Sequence, residues 1–144
     1  RTQQINFFDL GRKLTLVDLP GYGYARASHT RIKQWNNLIH QYVKGRPNLM
    51  RICLLIDSRH GLKENDRTLM VELDKAAVLY QIILTKCDKT GVAKRQNIIG
   101  SITKTFPQHP AAYTSILETS AEKGGGLVEL RKELAALATS AKFG

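Results

Sequence analysis

The sequence predicts an α/β domain with a mostly parallel sheet, because apolar residues follow strand-like and helix-like spacings in turn. Four short apolar runs, rich in β-branched residues or leucine, each end in a polar or glycine-containing turn; they are Leu14–Asp18, Ile52–Asp57, Tyr80–Thr85 and Ser115–Glu118. The middle two are apolar on successive residues, which is typical of strands covered on both faces in a parallel sheet. Helical patterns separate the runs, so strand and helix alternate.

Four segments carry apolar residues at helical spacing and predict the covering helices. Their apolar positions are Ile32, Trp35, Leu38, Ile39 and Tyr42 in the first, Leu69, Met70 and Leu73 in the second, Ile98, Ile99 and Ile102 in the third, and Leu127, Leu130, Leu134 and Leu137 in the last. The first pattern suits a helix of about three turns, in which Trp35 is expected to be a core residue.

The start of the chain predicts a different connection. Ile5–Leu10 and Leu14–Asp18 are separated only by Gly11-Arg12-Lys13, which suits an antiparallel hairpin and makes the predicted sheet mixed. Near the end, Gly124-Gly125-Gly126 is expected to form a flexible turn before the last helix. No interdomain linker is apparent, so we expect residues 1–144 to form a single domain.

Composition limits the classes of protein that the chain can belong to. No segment approaches the roughly eighteen apolar residues of a membrane helix, and neither cysteine has the spacing of a zinc or disulfide site. We therefore expect a cytoplasmic protein without membrane contact, in which Cys53 is a small buried apolar residue. The net charge of +10 fits either a polyanionic partner such as RNA or a merely solvated basic surface.

The predicted strands end in residues that suit a nucleotide with a divalent cation. Ligands of open parallel sheets bind beyond the carboxyl ends of the strands, and those ends carry Asp18, Asp57, Thr85–Asp88 and Thr119–Ala121. In Asp18-Leu19-Pro20-Gly21, the carboxylate can hold Mg²⁺ through water and the Gly21 N–H can meet a terminal phosphate. The same residues also serve strand-ending turns for backbone reasons alone, so this motif by itself is weak.

Thr85-Lys86-Cys87-Asp88 is the most informative motif. Asp88 can accept hydrogen bonds from N1–H and the exocyclic amine of guanine, a donor pair that adenine lacks. The apolar stem of Lys86 can lie along the base or the neighbouring backbone, while its ammonium stays solvated or meets loop carbonyls. An amide of the turn Glu118-Thr119-Ser120-Ala121 can meet the guanine carbonyl. An ordinary strand-to-helix turn is the alternative, but the ordered placement of three motifs at strand ends favours nucleotide binding.

These segments together resemble the EngB (YihA/YsxC) family of bacterial ribosome-assembly GTPases, within the translation-factor-related GTPases. Arg1–Phe8 is similar to the family's segment after the first switch, Asp18–Ala25 to its third motif and Asp57–Gly61 to a turn after the next strand. Thr85–Asp88 and Thr119–Ala121 are similar to the fourth and fifth motifs. The resemblance implies a P-loop NTPase-type G domain with three α/β/α layers, from which the first strand and the P-loop helix are missing.

The resemblance also implies roles for particular residues. Thr2 and Asp18 would hold Mg²⁺, Gly21 would contact the γ-phosphate, Asp88 would select guanine, and residues 22–32 would form the second switch. The implied GTP-binding and GDP-binding residues are Arg1, Thr2, Gln3, Gln4, Asp18, Leu19, Pro20, Gly21, Thr85, Lys86, Cys87, Asp88, Thr119, Ser120 and Ala121. Tyr22 stands where many small GTPases have a water-orienting Gln, which implies slow turnover or help from an ion or partner.

The implied activity is GTP hydrolysis by a monomeric switch in assembly of the large ribosomal subunit, with rRNA and ribosomal proteins as partners and a link to cell division (septation). The phosphate-binding pattern G-x-x-x-x-G-K-[ST] is absent, however. Three explanations account for this absence: the chain is a fragment, the sequence covers only ordered residues, or the protein is a degenerate GTPase. The first two are favoured. This chain alone is expected to bind GTP weakly and to be inactive.

Two other functions remain open from the sequence. A nucleotide-independent RNA-binding or ribosome-binding module with degenerate motifs would fit the missing pattern and the basic charge. An α/β phosphoacceptor or flavin domain using Asp57 shares the fold class but has no need of Thr85–Asp88. Arg59 and His60 could face RNA or the switch, although we favour a role in tying down the turn after Asp57; no residue is assigned as catalytic.

Overall fold

The computed structural model describes residues 6–10, 14–18, 29–44 and 48–140, and it confirms the predicted α/β fold. The elements are, in order, β1 (Asn6–Leu10), β2 (Leu14–Asp18), α1 (His29–Lys44), β3 (Ile52–Asp57), α2 (Glu64–Lys75), β4 (Tyr80–Thr85), α3 (Val92–Thr103), β5 (Ala112–Glu118) and α4 (Leu127–Ser140). Short 3₁₀ turns lie at Cys87–Lys89 and Phe106–Gln108. Three predicted strands, β2, β3 and β4, have the predicted bounds.

The chain divides into two units, of which the first comprises Arg1–Asn48 and Glu133–Gly144. Within its described residues, β1 and β2 pair antiparallel with Asn6 opposite Asp18 and Leu10 opposite Leu14, so the predicted hairpin is confirmed. Helix α1 has 16 residues and exceeds the predicted three turns. Tyr42 on this helix is buried. The side chains of Ile32, Trp35 and Ile39 lie outside the described residues.

The second unit, Leu49–Lys132, contains the parallel sheet. Its strand order is β3-β4-β5, with Ile52 opposite Tyr80 and Tyr80 opposite Ala112. Central strand β4 is buried from Tyr80 to Leu84, as a strand covered on both faces requires, with Gln81 as a polar residue within the apolar run. On the helices, the predicted α2 face is buried at Leu69, Met70 and Leu73, and that of α3 at Ile102.

Strand β3 departs from the prediction that both of its faces are covered. Leu54 and Ile56 are buried, whereas Leu55 between them is 61% exposed. Side chains alternate between the faces of a strand, so β3 buries one face and leaves the other open at this position. Cys53 is half-buried and is therefore less enclosed than expected. A continuous apolar run identified the strand correctly but overstated its burial.

Strand β5 begins three residues before the predicted start, at Ala112, and its pairing with β4 is irregular. Gln81 lies opposite Tyr113, yet Ile83 lies opposite Leu117. Gln81 is buried, its amide donates to the Ser115 carbonyl at 3.0 Å, and its side-chain oxygen accepts from Arg51 at 3.0 Å. These bonds give a buried polar side chain the partners it needs inside the sheet. The first half of β5 was not predicted because Tyr113 and Thr114 are exposed and do not extend the apolar run.

A polar cluster closes the amino-terminal edge of the parallel sheet. Asp74, near the end of α2, accepts hydrogen bonds from the Tyr80 hydroxyl at 3.3 Å and the Ala111 N–H at 3.0 Å, and it lies 2.6 Å from Nδ1 of His109. Burial raises the pKa of Tyr80, and the adjacent Asp74 carboxylate raises it further. One carboxylate thus joins α2 to the starts of β4 and β5.

We expect Asp74→Ala to lower the free energy of unfolding by about 2–4 kcal/mol, because it leaves the Tyr80 hydroxyl and the Ala111 N–H buried without their acceptor. Urea denaturation measures the change. Lys75→Ala is the control, because Lys75 makes only an exposed ion pair with Glu72 at 3.4 Å, which is worth about 0–1 kcal/mol. Equal effects of the two substitutions would contradict the role given to Asp74.

Candidate functional site

The carboxyl ends of the parallel strands bring the two most informative sequence segments together. Asp57 at the end of β3 lies opposite Thr85 at the end of β4, and Leu84 lies opposite Glu118 at the end of β5. The segments Thr85–Asp88 and Thr119–Ala121, which follow β4 and β5 and are distant in sequence, therefore share one edge of the sheet.

Direct hydrogen bonds join these two segments. The Cys87 N–H donates to the Thr119 carbonyl at 3.0 Å. The N–H and the hydroxyl of Thr119 both donate to the Leu84 carbonyl at 2.8 Å. The Ser120 hydroxyl donates to Oδ1 of Asp88 at 2.7 Å. The loop after β4 and the loop after β5 therefore form one hydrogen-bonded structure.

Asp88 presents an ionised acceptor at the surface of this structure. Its side chain is exposed, and the hydrogen bond from Ser120 lowers its pKa, with Lys89 and Lys123 adding smaller electrostatic contributions. Ser120 is itself buried, and its hydroxyl accepts from the Lys123 N–H at 3.1 Å. A buried hydroxyl that is held at both ends fixes the direction of the exposed carboxylate.

The backbone N–H groups of Thr119–Ala121 differ in their hydrogen bonding, which the sequence motif alone did not predict. That of Thr119 donates to the Leu84 carbonyl, and that of Ser120 donates to the Gly125 carbonyl at 2.9 Å. Within the part of the chain that the structure describes, the Ala121 N–H has no such acceptor. Ala121 is therefore the member of this motif whose amide can meet a ligand.

Lys86 adopts a left-handed backbone conformation, with φ of 56° and ψ of 36°. This costs a non-glycine residue roughly 1–2 kcal/mol, so neighbouring bonds must hold the turn. The buried Ser58 hydroxyl donates to the Lys86 carbonyl at 3.0 Å and lies 2.7 Å from the hydroxyl of buried Thr90. The first residues after β3 thus hold the turn after β4 in place.

The Lys86 side chain is 53% exposed, in line with the expected solvation of its ammonium. The ammonium also has a partner that the sequence did not predict, because it lies 3.4 Å from Oδ2 of Asp57. This ion pair arises because β3 and β4 are in register, so the carboxylate that ends β3 lies beside the turn that follows β4.

Asp57 is also bound by Arg59. Both side-chain oxygens accept hydrogen bonds from the guanidinium, at 2.9–3.3 Å, and Oδ1 accepts from the Arg59 N–H at 2.9 Å. The side-chain bond from Arg59 holds the pKa of Asp57 far below its ordinary range. The His60 and Gly61 N–H groups donate to the Asp57 carbonyl. This geometry supports a role for Arg59 in fixing the turn. It disfavours a phosphoacceptor role for Asp57, because both carboxylate oxygens already accept hydrogen bonds from the Arg59 guanidinium.

Arg95 and Glu118 belong to the same structure; Glu118 lies in the segment that the sequence indicates after the last strand, whereas Arg95 was not predicted. Nε of Arg95 donates to Oε1 of Glu118 at 3.0 Å, and NH1 donates to the Cys87 carbonyl at 3.0 Å and to the Thr90 carbonyl. The two residues are 23 positions apart, so no local spacing pattern predicts their contact. The weak signal was a cation in the first turn of α3, where a cation opposes the helix dipole.

Gly126, the last residue of the turn predicted before the final helix, is required by close packing. It has φ of +73°, and a Cβ placed on it would lie 1.8 Å from the Glu118 carbonyl oxygen. Gly124 has φ of +75° but open space around its Cβ position. The start of α4 therefore contacts the end of β5 directly through Gly126.

Several predicted site residues lie outside the described residues. These are Arg1, Thr2, Gln3, Gln4, Leu19, Pro20 and Gly21, together with residues 22–28 of the predicted switch. Asp18 is described only as the last backbone position of β2. In the ranges that are described, no cluster of three or more metal-ligating side chains occurs. Cys87 is half-buried, and burial raises the pKa of its thiol.

No described helix is long and apolar enough to cross a membrane.

A comparison with protein-family models finds none that matches this chain. Among solved structures, the translation elongation factor SelB from Methanococcus maripaludis in complex with the GTP analogue GppNHp is 22% identical, with a TM-score of 0.70. The match covers 96% of this chain and 28% of that one. The likeness confirms the predicted fold class, an α/β fold of the P-loop NTPase type.

Two curated relatives named EngB match almost the whole of this chain. The probable GTP-binding protein EngB of Rhodospirillum rubrum is 49% identical over 96% of this chain and 62% of its own length. The protein of the same name from Ruegeria pomeroyi is 47% identical over 95% of this chain and 63% of its own length. These matches confirm the resemblance to EngB proteins over nearly the whole chain, which spans less than two thirds of the length of these relatives.

Proposed function

We propose that the protein binds GTP and GDP, hydrolyses GTP with Mg²⁺, and acts as a switch in assembly of the large ribosomal subunit. The observation that carries the proposal is the exposed Asp88 carboxylate, whose pKa is lowered and whose direction is fixed by Ser120. The open N–H of Ala121 follows one residue beyond Ser120.

This arrangement complements one face of guanine. Guanine offers two neighbouring donors, N1–H and the exocyclic amine, and an adjacent carbonyl acceptor. The carboxylate of Asp88 supplies two acceptors and the Ala121 N–H supplies a donor. Adenine lacks the N1–H donor, so the same groups would be left partly unpaired against it. The stem of Lys86, aligned by its pairing with Asp57, offers an apolar surface beside the base.

The proposal for the phosphate end rests on the family and on the types of residue present. Thr2 and Asp18 would hold Mg²⁺, since a hydroxyl and a carboxylate are the hard oxygen ligands that this ion prefers and Asp18 is the residue at which β2 ends. Gly21 would contact the γ-phosphate, and Arg1, Gln3, Gln4, Leu19 and Pro20 would complete the nucleotide contacts. Bound Mg²⁺ would neutralise charge on the phosphates.

The names of the relatives support guanine nucleotides as ligands, because the EngB proteins are described as probable GTP-binding proteins. A net charge of +10 supports a polyanionic partner, which we take to be rRNA of the large subunit with its ribosomal proteins. We extend the proposal to a cytoplasmic monomer with a role in septation, on the family resemblance. With Tyr22 in place of a water-orienting Gln, unaided hydrolysis would be slow.

The test uses the full-length gene product, with whatever is encoded before Arg1 and after Gly144. We expect fluorescent GTP to bind in the presence of Mg²⁺ and to be displaced by GTP or GDP at concentrations about 100-fold lower than by ATP, because ATP leaves charged hydrogen-bonding groups unpaired. Slow phosphate release should follow. The 144-residue chain alone, which lacks G-x-x-x-x-G-K-[ST], should bind far more weakly.

The alternative RNA-binding module is favoured by the absence of that same phosphate-binding pattern. It predicts salt-sensitive binding to large-subunit rRNA that is identical with GTP, GDP or no nucleotide. The switch that we propose predicts co-sedimentation with large-subunit particles that changes between a non-hydrolysable GTP analogue and GDP. Absence of any guanine-nucleotide binding by the full-length product at micromolar concentrations would refute the proposed function.

A further inference from the structure

Arg95 joins the loops that present Asp88 and Ser120. Its NH1 group donates to the carbonyls of Cys87 and Thr90, which flank Asp88 in sequence, and its Nε donates to Glu118, which precedes Thr119 and Ser120. The Arg95 side chain is 20% exposed, so the guanidinium is largely withdrawn from solvent. A single planar group therefore connects the two loops from the α3 side.

The residue type suits this connection and the helix position does not. Arginine carries several donors in a rigid fork, whereas a lysine ammonium is a single point of attachment on a flexible stem. The first turn of α3 contains no acidic residue and carries both Lys94 and Arg95, although the helix dipole disfavours cations there. The guanidinium is held there by its contacts with the loops despite the local disadvantage.

The contacts of Arg95 complement those on the other sides of the loop. Ser58 holds the Lys86 carbonyl from the β3 side, and Thr119 holds the Leu84 carbonyl from β5. Between these points lies the 3₁₀ turn Cys87–Lys89 that carries Asp88. Arg95 is the donor that links the Cys87 and Thr90 carbonyls to Glu118. Without it this link is lost, and the separation of Asp88 from Ser120 would be less tightly fixed.

We propose that Arg95 is a positioning residue for guanine recognition, which sets the geometry of the Asp88–Ser120 pair without touching the nucleotide. This inference rests on the proposed function and adds a determinant of base specificity to it. It separates two properties: discrimination among bases depends on Arg95, and the hydrolysis rate of bound GTP does not. Arg95→Lys retains the charge without the fork, and Arg95→Met retains only the apolar stem.

The experiment measures dissociation constants for GTP and for ITP, which lacks the exocyclic amine, with the full-length gene product and its variants. We expect Arg95→Met to weaken GTP binding about 10-fold to 100-fold and to lower the GTP-over-ITP preference about tenfold, with Arg95→Lys intermediate. The single-turnover rate of saturated protein should stay within about twofold of the parent. Lys94→Met, an exposed cation of the same helix turn, should leave both dissociation constants unchanged.

Amide hydrogen exchange without nucleotide gives an independent readout. Exchange at Lys89 and Thr90, whose N–H groups bond within the turn, should accelerate about tenfold in Arg95→Met and not in Lys94→Met. If Arg95→Met fails to fold, Glu118→Gln replaces it and should lower the GTP-over-ITP preference in the same direction. An unchanged preference, with or without a lower melting temperature, would overturn the role of Arg95. A parent protein that binds neither nucleotide would instead overturn the proposed function.

Discussion

Gly126→Ala is expected to destabilise the second unit by more than about 4 kcal/mol, a loss within the range that unfolds a marginally stable domain. The added Cβ would lie 1.8 Å from the Glu118 carbonyl oxygen, 2.9 Å from its carbonyl carbon and 3.2 Å from Cα of Thr119. All three atoms belong to backbone, so no side-chain rotation relieves the overlap. Either α4 must move away from β5 or the end of β5 must shift.

Gly124→Ala is the matched control, because the two glycines share nearly the same positive φ and differ in what surrounds them. Among the described residues, no atom lies within 4 Å of a Cβ at Gly124, so this substitution carries the left-handed backbone cost, about 1 kcal/mol. Chemical denaturation of the full-length gene product measures both variants. Similar losses for the two would show that backbone conformation, and not close packing on Glu118, accounts for the requirement at Gly126.

The same substitution links stability to the candidate site. Glu118 bonds Arg95, and the next two residues, Thr119 and Ser120, hold the Leu84 carbonyl and the Asp88 carboxylate. A displaced end of β5 therefore moves the groups that orient Asp88. We expect any folded fraction of Gly126→Ala to have lost most of its base discrimination, in contrast to Gly124→Ala.

The parts of the fold that the sequence predicted are those specified by local periodicity. β3 and β4 have the predicted bounds because long apolar runs between turn residues leave little choice, and the buried face of α2 follows from Leu69, Met70 and Leu73 at helical spacing. The first half of β5 was missed because Tyr113 and Thr114 are exposed, so this stretch carries no apolar run. The exposure of Leu55 was not predicted, because an apolar run does not indicate which face of the strand is covered by a neighbouring element.

The candidate site divides in the same way between local and non-local features. Asp88 and Ser120 were found because each lies in a short motif after a strand, and the structure joins them by a 2.7 Å hydrogen bond. Ser58 and Arg95 support the loops from positions 28 and 8 residues away from the carbonyls they bind, at Lys86 and Cys87 respectively. Their pairing depends on strand register and helix placement, which a single sequence does not specify.

Asp88→Asn is expected to change the preferred base from guanine to xanthine. The aspartate offers two acceptors to the N1–H and amine of guanine, whereas asparagine offers one acceptor and one donor. The Ser120 hydroxyl bonds Oδ1 of residue 88, and an asparagine that keeps this bond places its amino group where the second acceptor was. That donor opposes the guanine amine and pairs with the carbonyl that xanthine carries at the same position.

We expect affinity for GTP to fall at least about 100-fold and affinity for XTP to rise by a similar factor, because mismatched buried donors are costly and the matched pair is restored. Competition against fluorescent GTP and fluorescent XTP measures both changes in the full-length gene product. Adding Ser120→Ala should abolish the xanthine preference, since the hydroxyl that orients the asparagine amide is then missing. An Asp88→Asn protein that still prefers GTP would contradict the assignment of Asp88 to the base.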